Sequence, residues 1–204
     1  ATYYLPTSKY IYIVANTRQQ ILDLAEALIR TRGYHAFSYK DISQKLNMKN
    51  AAVHYHFASK EALGVAIIQD SIDLFISKEE AWDQLSYKDQ LLDFISIYQK
   101  SKDRKWSCLM GALSSSVDAL PAGMQTKLIE MADYILNRLT ITLKQGLQTG
   151  EFHFEEKPKA KAELIISSLL SSLLLDRVLQ NGVFDSIKKS ITQSVIPKNK
   201  SNND

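Results

Sequence analysis

The segment from Ser38 to Lys60, SYKDISQKLNMKNAAVHYHFASK, constrains the fold of this chain more than any other. Ser38 stands three residues before Asp41, which is the spacing of a capping box, so we predict that a helix begins at Tyr39. Asn47 follows the last apolar residue of that helix, and asparagine tolerates the left-handed conformation in which helices often end. The segment therefore predicts a short helix followed by a tight turn.

A second short helix is predicted from Asn50 to Phe57. Val53 and Phe57 lie four residues apart on its buried face. The exposed face carries side chains that suit nucleic acid, namely Lys49, Asn50, His54 and Tyr55. Ser59 is expected to cap a third helix, which leaves Lys60 and the first backbone N–H groups of that helix free to hold a phosphate. The pattern as a whole is typical of a helix-turn-helix.

From Thr17 to Leu63 the chain resembles the DNA-binding domain of the tetracycline-repressor (TetR) family of bacterial transcription regulators. The run Tyr55-His56-Phe57, followed by Ser59-Lys60-Glu61, carries the resemblance. The sequence departs from the family's usual glycine or tyrosine at a few positions: Asn47, Ala51 and His54. The resemblance implies a double-stranded DNA operator as partner, contacted by Ser38, Lys49, Asn50, Ala51, His54, Tyr55 and Lys60.

The side chains of this set are expected to divide the work of DNA binding. Lys49, Asn50 and His54 lie at the start and on the outer face of the second helix, where side chains reach base edges in the major groove. Tyr55 and Lys60, with Ser38, are expected to hold phosphates and to set the register of the protein on DNA.

The composition fits such a protein without identifying it. The chain has 204 residues, of which 45% are hydrophobic, and its seven Gly and four Pro favour long helices over many strands and turns. The net charge is only +3, and residues 15–62 carry all of it, with seven Lys or Arg against four Asp or Glu. A chance surplus on a solvated surface would look the same, so charge alone does not establish a nucleic-acid partner.

Cysteine content and hydropathy indicate the cellular compartment in which the protein is expected to work. The single cysteine, Cys108, excludes an internal disulfide framework and fits a reducing cytoplasm. The most apolar run, Leu164 to Leu175, is interrupted by serines and is too short to cross a membrane, so no membrane partner is expected. The stretch from Tyr3 to Ala15 lacks the apolar region of a signal peptide and shows no helical period, and we interpret it as a flexible arm.

We predict an all-α fold with two domains: a helix-turn-helix DNA-binding domain over residues 15–63 and a helical regulatory and dimerisation domain over residues 64–197. Thr17 is expected to begin the first helix through a capping box, and Gly33 to end it. The helix that follows Ser59 is expected to extend for about twenty residues, or about 30 Å, into the second domain. No linker rich in Gly, Pro or Ser intervenes, so we expect a rigid connection.

Capping, Pro and Gly signals divide the second domain into further helices, over residues 86–102, 107–120, 122–148, 160–180 and 184–196. Ile141 is expected to face inward on the third of these, and Gly182 to close the fourth. Residues from Pro197 onward are polar and are expected to form a disordered tail.

The helix over residues 160–180 is apolar around nearly its whole circumference, which indicates burial on two sides. One side can meet the chain's own core and the other a second copy, since the serines along this helix allow close approach. The resemblance implies a four-helix interface made by the last two helices of each subunit. We therefore predict a homodimer through Ile165, Leu169, Leu173, Ile187 and Ile191, with a central helix of a monomeric bundle as the alternative.

Aromatic and soft side chains mark a candidate site for a small-molecule inducer. For any one of these residues, filling a helical core is the simpler interpretation. Together with the family resemblance they predict a mostly apolar pocket, formed by Phe94, Tyr98, Trp106, Met110, Met131 and Tyr134.

An enzyme is disfavoured by the same sequence. His54 and His56 are two residues apart on a helix and cannot share a metal, so neither a metal site nor a cofactor is predicted. Cys108 lies in an apolar helix, where a structural thiol is expected, and no phosphate loop or nucleophile motif is present. The prediction is a cytoplasmic transcription regulator, a repressor released from a palindromic operator by a small apolar ligand. The alternative is a helical protein-interaction module with no ligand switch.

Overall fold

The computed structural model describes residues 7–197, with side chains described from Asn16 onward except that of Glu80. Within this part of the chain all regular structure is helical, which confirms the all-α prediction. Two short 3₁₀ turns, Tyr34–Ala36 and Val117–Ala119, supplement the α-helices. The α-helices are α1 (Thr7–Arg32), α2 (Tyr39–Lys45), α3 (Asn50–His56), α4 (Lys60–Trp82), α5 (Tyr87–Asp103), α6 (Leu109–Ser114), α7 (Ala122–Thr149), α8 (Pro158–Leu179) and α9 (Val183–Val195).

Helices α1, α2 and α3 form the predicted helix-turn-helix head. The capping box is present, because the Ser38 side chain meets the backbone of α2 and the Asp41 carboxylate accepts from the Ser38 N–H. Asn47 is left-handed, with φ of 51°, and turns the chain between α2 and α3. Apolar side chains from all three helices close the small core: Ile21, Ala25, Ile42, Val53 and Phe57.

Helix α1 begins at Thr7, so the prediction of a start at Thr17 was wrong. The capping-box spacing marks where a helix can begin, but it does not stop a helix that has already started upstream. The same helix replaces the expected flexible arm over residues 7–15. The rest of that arm, residues 1–6, and the expected tail after Pro197 lie outside the described residues.

Helix α4 joins the head to the body without a break, as the sequence predicts. The Ser59 hydroxyl accepts from the Ala62 N–H at 3.0 Å and caps it. The start of α7 packs closely on the start of α4. The Glu61 carboxylate accepts from the Gly123 N–H at 3.0 Å, and Met124 lies directly over Gly64.

Several details of the body differ from the sequence prediction. The predicted helix over residues 107–120 breaks after α6, where the hydroxyls of Ser114 and Ser115 bond to carbonyls of the preceding turn. Ile141 is 36% exposed, because the inward face of α7 is filled by its neighbours Leu139, Thr142 and Leu143. These corrections change local boundaries and leave the helix order intact.

The end of α8 also differs from the prediction. Gln180, with φ of 50°, supplies the left-handed residue that ends the helix. Gly182 is left-handed too, but it precedes α9 instead of closing α8. Among residues 7–197, no helix combines the length and the hydropathy that crossing a membrane requires.

Candidate functional site

The outer face of α3 is an exposed polar surface of the head. Val53 is fully buried and Phe57 is 4% exposed, so these two residues fix the rotation of the helix. Lys49, Asn50, Ala51 and His54 consequently face solvent, and the Tyr55 side chain is 71% exposed. The structure thus brings these predicted DNA-binding residues together on one short helix. Apart from the Ala51 methyl, their side chains can form hydrogen bonds with base edges or phosphates.

Tyr39, which is buried, packs against α3 and was not among the residues predicted from the sequence. Its hydroxyl donates to the Phe57 carbonyl at 3.0 Å, which ties α2 to the end of α3. Its ring meets the His54 ring edge-on, with centroids 4.7 Å apart. Burial raises the pKa of Tyr39 to about 12, so the hydroxyl remains a donor at neutral pH. The sequence shows an aromatic residue directly after the N-cap residue Ser38. It does not show the hydrogen-bond partner of that residue, Phe57, which is 18 residues away.

Ser38 is exposed at the start of α2, as predicted. Its hydroxyl and its N–H both lie close to the Asp41 carboxylate, at 2.6 and 2.7 Å. Both hydrogen bonds lower the pKa of Asp41, and the one from the Ser38 side chain has the larger effect. The hydroxyl is therefore held at the helix start, and a phosphate that accepts from it would replace Asp41 as its acceptor.

Lys60 does not have the free ammonium group that the sequence analysis predicted. Its Nζ donates to the Phe37 carbonyl at 2.5 Å and lies over the rings of Tyr34 and Phe37, at 4.6 and 4.3 Å from their centroids. Burial lowers the pKa of Lys60, partly offset by the Asp41 carboxylate. The aromatic rings of the Gly33–Ser38 connection attract the cation inward. Lys60 therefore holds this connection in place.

Arg18 is a second basic residue that the sequence analysis left out of the site. It is exposed on α1, and its guanidinium lies over the Phe57 ring at 5.0 Å from the centroid. Burial, together with Arg18, lowers the pKa of His56. Arg18 thus places a positive charge beside the end of α3.

The residues predicted to form the dimer interface mostly face the chain's own core, which corrects that prediction. Ile165, Leu169 and Leu173 are at most 2% exposed, Ile191 is 6% exposed, and Ile187 is half-buried. A helix that is apolar all round has two faces, and its sequence does not say which one is inward. The outward face of α8 carries a different apolar set, which we call the α8 outer face: Leu164, Leu174, Leu175, Val178 and Leu179.

The predicted ligand residues divide among three places. Tyr98, Met110 and Met131 line one cavity of about 40 Å³ among α1, α4, α5, α6 and α7, which we call the body cavity. Phe94 lies behind it, with its ring 5.6 Å from that of Tyr98. Trp106 lines a separate open cleft of about 510 Å³ between the ends of α5 and α8. Tyr134 lies in a shallow groove on α7. The structure therefore unites half of the predicted set.

Comparison with known proteins agrees with the fold and the head. Residues 21–67 match the family described as "Bacterial regulatory proteins, tetR family". The chain is 32% identical to a TetR transcriptional regulator from Legionella pneumophila, whose crystal structure matches with a TM-score of 0.78 over 88% of this chain and 97% of that one. It is 22% identical over 167 residues to the HTH-type transcriptional repressor DhaR of Mycobacterium sp. (strain GP1), covering 80% and 84% of the two chains.

A more distant structure, that of the transcriptional regulator FadR from Bacillus subtilis in complex with stearoyl-CoA, shares the fold alone. Its TM-score is 0.66 at 18% identity, over 85% of this chain and 95% of that one. The similarity to the Legionella regulator covers both sequence and fold over most of each chain. The chain described here belongs to the TetR family of bacterial regulatory proteins.

Proposed function

We propose that this protein is a transcriptional repressor that binds a palindromic DNA operator through α3 of each subunit of a homodimer. The observation that carries the proposal is the outer face of α3, where Lys49, Asn50 and His54 are exposed above the buried Val53 and Phe57. An α-helix of this kind fits the major groove of B-DNA. The name of the related repressor DhaR supports repression over activation.

Within this proposal, Asn50 and His54 read base edges, with Lys49 at the start of the helix. Tyr55 and Ser38 hold phosphates on either side of the groove. Lys60 acts indirectly, because its ammonium fixes the Phe37–Ser38 backbone and so places the Ser38 hydroxyl.

The dimer is proposed to form through the α8 outer face. Val178 is 79% exposed and Leu164 is 55% exposed, and several exposed apolar side chains on one helix face are typical of an interface between subunits. Ser167, Ser168 and Ser171 beside it are small enough for a second helix to approach. Two-fold symmetry would place two α3 helices about one DNA turn, or about 34 Å, apart or at a multiple of that distance.

Release from the operator is proposed to follow binding of a small apolar ligand in the body cavity. Helix α4 links the cavity to the head, because Ser71 and Phe75 line the cavity and Lys60 begins the same helix. Movement of α4 on ligand binding would change the spacing of the two α3 helices. The stearoyl-CoA complex of FadR supports a small-molecule ligand for this fold. A cytoplasmic location follows from this role.

Selection of bound sites from random DNA by the purified full-length protein tests the proposal. We expect enrichment of a palindrome, and affinity for it that falls steeply as salt rises, because bound phosphates release counterions. The control is a scrambled duplex of equal length and composition. A protein that enriches no sequence and whose retention on DNA does not depend on salt is not a repressor of this kind.

A further inference from the structure

We propose that the body cavity binds an anionic amphiphile, a carboxylate with an unbranched apolar tail, and that Arg30 of the DNA-binding head anchors its carboxylate. This inference rests on the proposed ligand-released repressor and names the chemical class of its ligand. Arg30 belongs to α1, whereas the rest of the cavity belongs to α4, α5, α6 and α7. The cavity is thus closed on one side by a charged side chain from the head.

Each nitrogen of the Arg30 guanidinium has a protein partner, but the partners of Nη1 are distant. The side chain is 14% exposed, and Nε and Nη2 are bonded to the Glu26 carboxylate at 2.8 and 2.6 Å. Nη1 has only long contacts, 3.5 Å to the Ser101 hydroxyl and 3.4 Å to the Ser107 carbonyl. Both acceptors are neutral and near the limit of hydrogen-bonding distance. A carboxylate oxygen would be a stronger acceptor for Nη1.

The remaining lining favours an apolar tail. Among the described residues that line the cavity, Arg30 alone is charged, and most of the others are aliphatic or aromatic. Tyr98, Met131 and Ile135 are buried, and Met110 is half-buried. One charged group on the wall of an otherwise mostly apolar site matches the chemistry of an amphiphile.

The tail must enlarge the cavity, whose volume of about 40 Å³ is little more than one water's share of the liquid. Met110 and Met131 are suited to this, since methionine side chains are unbranched and repack readily. The ligand is therefore expected to displace these two side chains and to leave the Tyr98 ring in place.

The position of Arg30 also couples the ligand to the head. The Ser107 N–H donates to the Arg30 carbonyl at 3.2 Å, while Arg30 Nη1 points back to the Ser107 carbonyl. This reciprocal contact joins the end of α1 to the segment before α6. A carboxylate that draws Nη1 away from Ser107 weakens the contact and lets the head change its angle to the body. Ligand binding and operator binding then oppose each other by the same factor.

The test compares three ligands with the same ten-carbon tail, each below its micellar concentration: decanoate, decan-1-ol and decyltrimethylammonium. Affinity is measured by titration calorimetry on the full-length protein. We expect decanoate to bind about tenfold or more tightly than the alcohol, because a charged acceptor strengthens the bond to arginine. Arg30→Gln should abolish this difference, and Arg30→Lys should retain part of it.

Arg104→Gln is the matched control. Arg104 lies over the Trp106 ring at 4.9 Å, as Arg30 does at 5.8 Å, but it does not line the cavity. This variant should keep the preference for decanoate. Met131→Trp, which enlarges a side chain of the cavity lining, should abolish binding of all three ligands.

Other results overturn the inference. Equal binding of acid and alcohol, a preference unchanged in Arg30→Gln, or failure of decanoate to bind would each contradict it while operator binding remained. A second readout is operator affinity with and without decanoate, which should fall in the wild type and stay unchanged in Arg30→Gln. Loss of operator binding by the unliganded wild type would instead contradict the proposed repressor.

Discussion

At the scale of single residues, the role of a basic side chain depends on where its charged group comes to rest. Lys60 begins α4 beside the reading head, a position from which a lysine could reach a DNA phosphate. Its ammonium instead lies 2.5 Å from the Phe37 carbonyl, between two aromatic rings. Lys60 is thus a positioning residue for the connection between α1 and α2.

Replacing Lys60 by methionine distinguishes a role in positioning the connection between α1 and α2 from a direct contact with a DNA phosphate. The variant keeps the apolar stem but loses the hydrogen bond and the cation–π contacts, so we expect the free energy of unfolding to fall by about 1–2 kcal/mol. Operator binding should keep its salt dependence, whereas a lost phosphate contact lowers the slope of log affinity against log salt by about 0.9. Urea denaturation and binding at several salt concentrations measure both quantities.

Lys45→Met, at an exposed position on α2, is the matched control for stability. It should leave the free energy of unfolding within about 0.5 kcal/mol of the wild type. A Lys60→Met variant that is fully stable but has a smaller salt slope would show that Lys60 holds a phosphate after all.

Local signals at this scale were predictable, and distant contacts were not. The Ser38–Asp41 capping box and the left-handed Asn47 each depend on a few neighbouring residues, and the sequence identified both. The Lys60–Phe37 hydrogen bond spans 23 residues and that between Arg30 and Ser101 spans 71. Such contacts depend on how helices pack, which no short pattern encodes.

At the scale of helices, α4 and α7 pack closely at the junction between the head and the body. A Cβ added at Gly64 would lie 2.4 Å from the sulfur of Met124, which is fully buried. Glycine at this position therefore allows α7 to approach the first turns of α4. The Glu61–Gly123 hydrogen bond fixes the same contact one turn earlier.

The effect of Gly64→Ala on stability should depend on the residue at position 124. We expect it to be destabilising beside Met124 and stabilising beside alanine. Against Met124, the added methyl overpacks the junction by about 1–3 kcal/mol, more than the roughly 1 kcal/mol that alanine gains over glycine in a helix. The variant should therefore be less stable than the wild type. In a Met124→Ala background the same substitution should stabilise the protein by about 0.5–1 kcal/mol.

Urea denaturation of the four proteins, at one protein concentration, measures this double-mutant cycle. If Gly64→Ala is destabilising to the same extent in both backgrounds, the junction is not packed as described.

The helix boundaries show what periodicity can and cannot predict. Helices α4, α5 and α7 follow their capping signals closely, because Ser59, Ser86 and Gly150 stop or start helices by local hydrogen bonding. The start of α1 and the break after α6 were missed. In α8 periodicity predicted burial on two sides, but only packing shows that Leu173 faces inward and Val178 outward.

At the scale of the whole molecule, the α8 outer face is the surface through which we propose that two subunits assemble. Val178→Glu introduces a charge where the side chain is 79% exposed, so the isolated subunit should fold normally. In the dimer the same charge would be buried without a partner, which is unfavourable. We expect monomers in analytical ultracentrifugation and operator affinity lower by about tenfold or more, because one α3 helix reads only a half-site.

Ile129→Glu is the control, since Ile129 is 61% exposed on α7 and does not belong to the α8 outer face. This variant should remain dimeric and bind the operator normally. A dimer that survives Val178→Glu, Leu174→Glu and Leu175→Glu together would place the interface elsewhere.

The central claim is that the outer face of α3 reads DNA bases, and a change in sequence preference tests it most directly. Site selection from random DNA is carried out with the wild type and with Asn50→Ala, which differ at one exposed side chain. The variant should tolerate any base at one position in each half-site, with discrimination there reduced by about 1–3 kcal/mol and the other positions unchanged. Selection of the same sequence by both proteins, and by His54→Ala, would contradict the claim.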